Sequence, residues 1–132
     1  MQVSLTNDGP VTFWLQVAPD DAPPSLVIVV DEFAALVKEV PDFVAGIVDI
    51  AQRGRSLGIH LVLATQRPTG VVNDAILANT NLRISLRVLD PTDSNNIIGT
   101  RDAADIPVPL RGRAYARTGP QSLVAFQCAW SG

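Results

Sequence analysis

Two adjacent carboxylates, Asp31 and Glu32, follow directly on five aliphatic residues, Leu26 to Val30. A short continuous apolar run bounded by polar signals reads as a strand buried on both faces. Such strands belong to parallel sheets covered by helices, and in open α/β sheets ligands sit outside the carboxyl ends of the strands. A carboxylate pair at that position is the first candidate for chemistry. The same residues also have a structural use, in which Asp31 caps the helix that follows. A second polar strand end comes later: Ile59 to Thr65 is apolar except for His60, and it leads into Gln66-Arg67-Pro68. There Thr65 and Gln66 can donate to a ligand, or Gln66 can serve as an ordinary strand-end hydrogen bonder.

Other reactive side chains carry less. His60 lies inside an apolar strand and reads as a core histidine. Cys128 is the single cysteine, so it has no internal disulfide partner, and no metal-ligand spacing surrounds it. Arg83 and Arg87 share one face of a third strand and suit either an anionic ligand or surface pairing. Arg111-Gly112-Arg113 reads as a solvated turn or a contact for DNA or a partner.

These groups need elements to hold them. At 132 residues and 47% hydrophobic composition the chain is long enough for one domain with a sizeable core. Ten basic against thirteen acidic residues leave a net charge of −3, so no global basic field for nucleic acid exists. The N-terminus lacks a charged region followed by an apolar one, and no run reaches the length of a membrane span. Cytoplasm is therefore the expected compartment.

Along the chain, residues 7–10 predict a turn, Val11 to Val17 a strand, and Ala18 to Pro24 an irregular loop. Phe33 to Val40 predicts a short helical turn, followed by a helix with Pro41 at its first position. Phe43, Ile47, Ile50 and Ala51 form its apolar face, and Gly58 stops it. Strand, helix and strand then make a βαβ unit. Val71 to Asn79 predicts a short helix after Gly70. Leu82 to Val88 alternates, with one apolar and one polar, basic face. A helix follows with Thr92 or Asp93 as cap and Gly99 as stop. Ala114 to Arg117 and Ser122 to Phe126 predict a terminal β-hairpin.

IVVDEFAAL, AQRGRSLGIHLVLATQRP, NTNLRISLRV, DSNNIIG and RGRAYARTG occur in that order. Together they resemble the second half of the FtsK/SpoIIIE ATPase domain, in particular actinobacterial members and the EccC-type motor ATPases of type VII secretion. The resemblance spans Leu26 to Phe126. It implies an α/β fold of partial RecA-like P-loop NTPase type, mainly parallel sheet flanked by helices, with a C-terminal β-hairpin. It also implies hexameric rings in which ATP and Mg²⁺ lie between subunits and drive movement of double-stranded DNA, or of protein cargo in the secretion branch. Whole relatives can be membrane-anchored. By position, Asp31 resembles the Walker B carboxylate that holds Mg²⁺ through water, and Glu32 the catalytic glutamate. Thr65 and Gln66 match the sensor of the γ-phosphate, and Arg83 the arginine that reaches a neighbour's nucleotide. Arg53 and Arg55 are further basic candidates near that boundary.

One family feature is not in these 132 residues. GxxxxGK[ST], the Walker A loop whose amides cradle phosphates, does not occur, and Lys38 is the sole lysine. Residues 1–24 are expected to lie outside the match, as a strand and linker, and 25–128 to form the C-terminal half of the ATPase domain. The expected function is a fragment of a motor ATPase, inactive by itself and binding no nucleotide tightly. The alternative is a non-catalytic module that binds a partner or a ring subunit, by self-association or within a ring.

Overall fold

The computed structural model describes residues 25–129 together with the backbone of residues 11–16. The turn and loop expected at residues 7–10 and 18–24 lie outside the described residues. The chain divides into two compact units, Met1–Gln66 and Arg67–Gly132.

The first unit is built on a three-stranded sheet of order β1-β2-β3. Strand β1 (Val11–Gln16) runs antiparallel to β2 (Ser25–Val30), and β2 runs parallel to β3 (Ile59–Leu63). Helices α1 (Phe33–Glu39) and α2 (Phe43–Arg53) and a 3₁₀ turn (Gly54–Leu57) form the crossover, so the expected βαβ unit is present. Helix α1 stops before Pro41 because a residue preceding proline is pushed out of the helical region, and Val40 sits at φ −134°, ψ 81°. Pro41 was expected at the first position of the next helix. Instead Pro41 and Asp42 form a turn, and α2 begins at Phe43. Gly58 ends the crossover at φ 71°, a conformation that a side chain would strain, and its carbonyl accepts the Leu26 N–H at 2.9 Å. Val30, Phe33, Ala34, Leu36 and Ile47 are buried and form the core of this unit.

His60 does not join that core. Strand β3 is an edge of its sheet and alternates half-buried and exposed positions, with His60 and Val62 on the exposed side. The core position expected of His60 from its apolar neighbours is thus not observed.

The second unit contains α3 (Asp74–Ala78), β4 (Arg83–Leu86), α4 (Pro91–Ile98), β5 (Arg113–Gly119) and β6 (Ser122–Gln127). Asn73 caps α3, its side chain accepting the Ile76 N–H at 2.9 Å. The cap of α4 is Asp90, which accepts the Thr92 N–H at 2.7 Å, rather than Thr92 or Asp93. Pro91 explains the difference: it has no N–H and its φ suits the first helical turn, so the cap must precede it. Gly99 stops the helix in the left-handed region at φ 73°, as expected.

Strands β4, β5 and β6 form an antiparallel sheet in that order, and β5–β6 is the expected hairpin. Cross-strand partners share a face. Arg83, Ser85, Arg117, Tyr115 and Leu123 therefore share one, and Ile84, Leu86, Ala116, Val124 and Phe126 the other. Tyr115 and Leu123 pack on the buried cluster of Ile98, Ala103 and Ile106, so the face bearing Arg83 and Ser85 turns inward. The alternation expected of this strand is present, but its polar face is the covered one. Ile84 and Leu86 stay 48% and 53% exposed. Buried Ser94 ties the cluster together: its hydroxyl donates to the Thr100 carbonyl at 2.5 Å and accepts the Ala103 N–H at 3.1 Å.

Candidate functional site

The acid turn is set by backbone. The parallel ladder continues beyond its last strand residues: Ala64 N–H donates to Val30 O at 2.9 Å, and Phe33 N–H donates to Ala64 O at 2.8 Å. Asp31 and Glu32 fill the turn between those two bonds. Thr65 and Gln66 follow Ala64 directly, so the two polar strand ends expected from the sequence meet at one end of the sheet.

The turn is strained where the chemistry would be. Glu32 sits at φ 52°, ψ 49°, and it is the one non-glycine residue with positive φ among the described residues. Such a conformation costs on the order of 1–2 kcal/mol for a residue with a Cβ. Strain of this kind clusters at active sites and switches, where the surrounding structure imposes it. Here the imposing contacts are the buried Phe33 side chain and the Phe33–Ala64 bond on the next residue.

Neither carboxylate is used to cap α1. Asp31 is exposed, and one of its oxygens accepts the Glu32 N–H at 3.0 Å. Glu32 stands at the cap position of α1 and makes no side-chain capping bond. The second oxygen of Asp31 and the carboxylate of Glu32 are acceptor-only oxygens at a strand end. This donor set suits Mg²⁺, which keeps several waters and takes one or two carboxylates together with phosphate oxygens. No group of three His, Cys, Asp or Glu that could hold a metal occurs among the described residues.

Thr65 is half-buried and Gln66 exposed. Arg53 and Arg55 are exposed, and Arg53 pairs with Asp49 at 2.8 Å one helical turn earlier. That pair is solvated and stabilises little. Arg83 belongs to the second unit. It is half-buried, and its Nε is fully covered with no hydrogen-bond partner, so surface pairing does not account for it. Arg87 lies past the end of β4 and is exposed. Arg111 is exposed, whereas Arg113 begins β5 with a covered, unpaired Nε. Cys128 is a free, exposed thiol.

Arg117 drew no notice in the sequence, yet it is the register partner of Arg83. Its guanidinium donates to the carbonyls of Ile98, Gly119 and Pro120. Nothing in RAYARTG distinguishes it, because strand pairing is needed to bring it opposite position 83. Among the described residues no helix is long and apolar enough to cross a membrane.

The sequence profile of the FtsK/SpoIIIE family matches residues 12–70. The match begins inside the segment 1–24 that the sequence reading had set apart. The type VII secretion system protein EssC of Staphylococcus aureus (strain NCTC 8325) is 53% identical over 110 residues, 83% of this chain. Those residues are 7% of EssC, so the chain spans a small part of the relatives it matches. Among solved structures, the cytoplasmic domain of the Thermomonospora curvata type VII secretion ATPase EccC superposes with a TM-score of 0.74 at 36% identity, covering 86% of this chain and 13% of that one. The pCW3 conjugation coupling protein TcpA, in a monomer form with ATPγS, gives 0.70 at 27% identity, covering 76% and 31%.

Proposed function

Because the chain belongs to the FtsK/SpoIIIE family, we propose that it supplies the Walker B and sensor half of a motor ATPase that moves protein cargo in type VII secretion, working on the cytoplasmic side. The observation that carries this reading is the ladder from Val30 through Ala64 to Phe33, which sets Asp31 and Glu32 beside Thr65 and Gln66. In this reading Asp31 holds Mg²⁺ through water, Glu32 orients the attacking water, and Thr65 and Gln66 sense the γ-phosphate. Arg83 reaches the nucleotide of a neighbouring subunit of the ring. Protein cargo is preferred to double-stranded DNA because EssC and EccC are secretion proteins, and because a net charge of −3 provides no basic field for a duplex.

No phosphate-cradling loop occurs in these 132 residues. The purified chain is therefore expected to bind ATP weakly and to turn over none. Mg²⁺-dependent ATPase activity of the chain by itself would refute that part. The acid assignment is tested in a chimera that places residues 25–128 in an intact family ATPase. Glu32→Gln there should lower kcat by about 10²–10⁴-fold, the range for loss of a positioned acid–base group, with KM little changed. Wild-type turnover by the variant would remove Glu32 from catalysis.

A second reading, a non-catalytic module that docks on a ring subunit, is favoured by the exposed apolar face of Ile84, Leu86 and Val124. It predicts that the chimera assembles normally and that Glu32→Gln changes nothing.

A further inference from the structure

Of the three covered polar atoms in the second unit that have no partner among the described residues, Arg83 Nε, Thr100 Oγ1 and Arg113 Nε, Arg117 is neighbour to the residues of the first two. Arg83 stands directly across the β4–β5 ladder from Arg117, where like charges facing each other are destabilising. Thr100 follows Gly99, and a Cβ at Gly99 would lie 3.6–3.7 Å from the Arg117 guanidinium, which therefore packs over that glycine. Covered polar groups are almost always paired, so each exception calls for a physical reason. Two arginines and a hydroxyl gathered this way are rich in donors and positive charge, and the element they lack is an anion.

Arg117 also makes the polar contacts that Arg83 lacks. The end of α4 and the β5–β6 turn present three carbonyls, those of Ile98, Gly119 and Pro120. Arg117 takes all three, at 3.3 Å to Gly119, 2.6 Å to Pro120, and through Nε to Ile98. None of these bonds uses its Nη2. Arg117 thus engages the carbonyls at this end of the sheet that Arg83 would otherwise compete for.

We propose that Arg83, Thr100 and Arg117 form an oxyanion site for a phosphate group, with Arg117 as the positioning residue that keeps Arg83 available. The proposal rests on the reading of Arg83 given above and extends it from one side chain to a three-residue site. Arg83 and the Arg117 Nη2 supply fork-like N–H donors, which match phosphate geometry. Thr100 adds a hydroxyl donor.

The test is arginine Nε–Hε NMR of the whole chain titrated with inorganic tripolyphosphate, with sodium acetate as a control anion. The Arg83 signal should move with tripolyphosphate and far less with acetate. Arg117→Ala should raise the apparent Kd about tenfold, the size of one charge-assisted hydrogen bond, as Arg83 turns to the vacated carbonyls. Arg117→Lys should bind as weakly as Arg117→Ala, because one ammonium cannot serve three carbonyls and an anion together. Thr100→Val, which keeps the side-chain shape, carries the test if Arg117→Ala does not fold, and it should also bind more weakly. Unchanged affinity in Arg117→Ala with Arg83 still responding would overturn the site and leave the Arg83 reading standing. A wild-type Arg83 signal indifferent to tripolyphosphate would overturn both. Full affinity in Arg117→Lys would mean that charge alone matters and would overturn the positioning role.

Discussion

The two units treat the polar residues at their helix starts in opposite ways. In the second unit Asn73 and Asp90 each place a side-chain oxygen on a helix N–H, and both helices begin capped. In the first unit Glu32 and Asp42 stand at the same structural positions and make no side-chain cap. Capping preference favours Asp and Asn and does not include Glu, so it accounts for Glu32 and leaves the uncapped Asp42 without a reason in the sequence. The contrast extends inward. The second unit ties its core with the Ser94 hydroxyl and clamps the end of α4 with Arg117, while the core of the first unit is aliphatic and aromatic. Where side chains hold the fold they are committed; where burial and backbone hold it, as around Asp31 and Glu32, the acids make no cap, and among the described residues Asp31 accepts only the Glu32 N–H.

Phe33→Ala tests the apolar half of this contrast and has the largest expected effect. Phe33 is 1% exposed and follows the strained glutamate. Its truncation should destabilise the first unit by about 3–5 kcal/mol, read from urea unfolding. A loss near zero would mean that something other than burial holds the acid turn. Ser94→Ala tests the polar half. It strands the buried Ala103 N–H and the Thr100 carbonyl, and should cost about 1–3 kcal/mol. A neutral Ser94→Ala would make the polar tie decorative and dissolve the contrast between the units.

The legible parts of the molecule were those fixed by local pattern. The run Leu26–Val30 ending in acids gave β2 and its exit, and the spacing to Ile59–Leu63 gave the parallel partner. Gly58 and Gly99 were readable as stops because few other residues accept their φ. What stayed hidden depended on pairing and on which side of a strand is covered. The alternation of β4 showed two faces and could not show that the one with Arg83 and Ser85 is inward. That follows from Tyr115 and Leu123, which reach the Ile98 cluster from β5 and β6. His60 was misplaced for a related reason: an apolar run does not reveal whether its strand is an edge. Arg117 acquires a role only through its register with Arg83. Asp90 caps α4 in place of Thr92 or Asp93 because Pro91 occupies the first helical position and puts the cap before it.

Glu32→Gly sharpens the contrast with a gain rather than a loss. Glycine accepts φ 52° freely, so removing the Cβ releases strain that the fold imposes. The extra chain entropy of glycine offsets part of this, and the net change should be a stabilisation of at most about 1 kcal/mol. Glu32→Ala is the control: it removes the same carboxylate, keeps the Cβ and should gain nothing. A gain in both variants would trace the effect to the carboxylate's charge instead of the backbone, and the turn would no longer count as strained for function.

The smallest effect belongs to Asp90, and its sign distinguishes a committed acid from a free one. The Thr92 N–H, and after it the Thr92 hydroxyl, hold the Asp90 carboxyl below its ordinary value of 3.8. On acidification the unfolded chain therefore takes up this proton before the folded chain does. The cap's contribution is fully present above 3.8 and disappears as the pH falls through the lower folded-state value. Asp90→Asn can cap by the same geometry without titrating. The stability difference between wild type and Asp90→Asn should accordingly be flat near neutral pH and shift against the wild type only below about 4, near the ordinary aspartate value. Because the carboxyl is fully exposed, water screens the effect and the shift should be small. A difference that already changed between pH 5 and 7 would have to come from another group, and Asp90 would then be as uncommitted as Glu32.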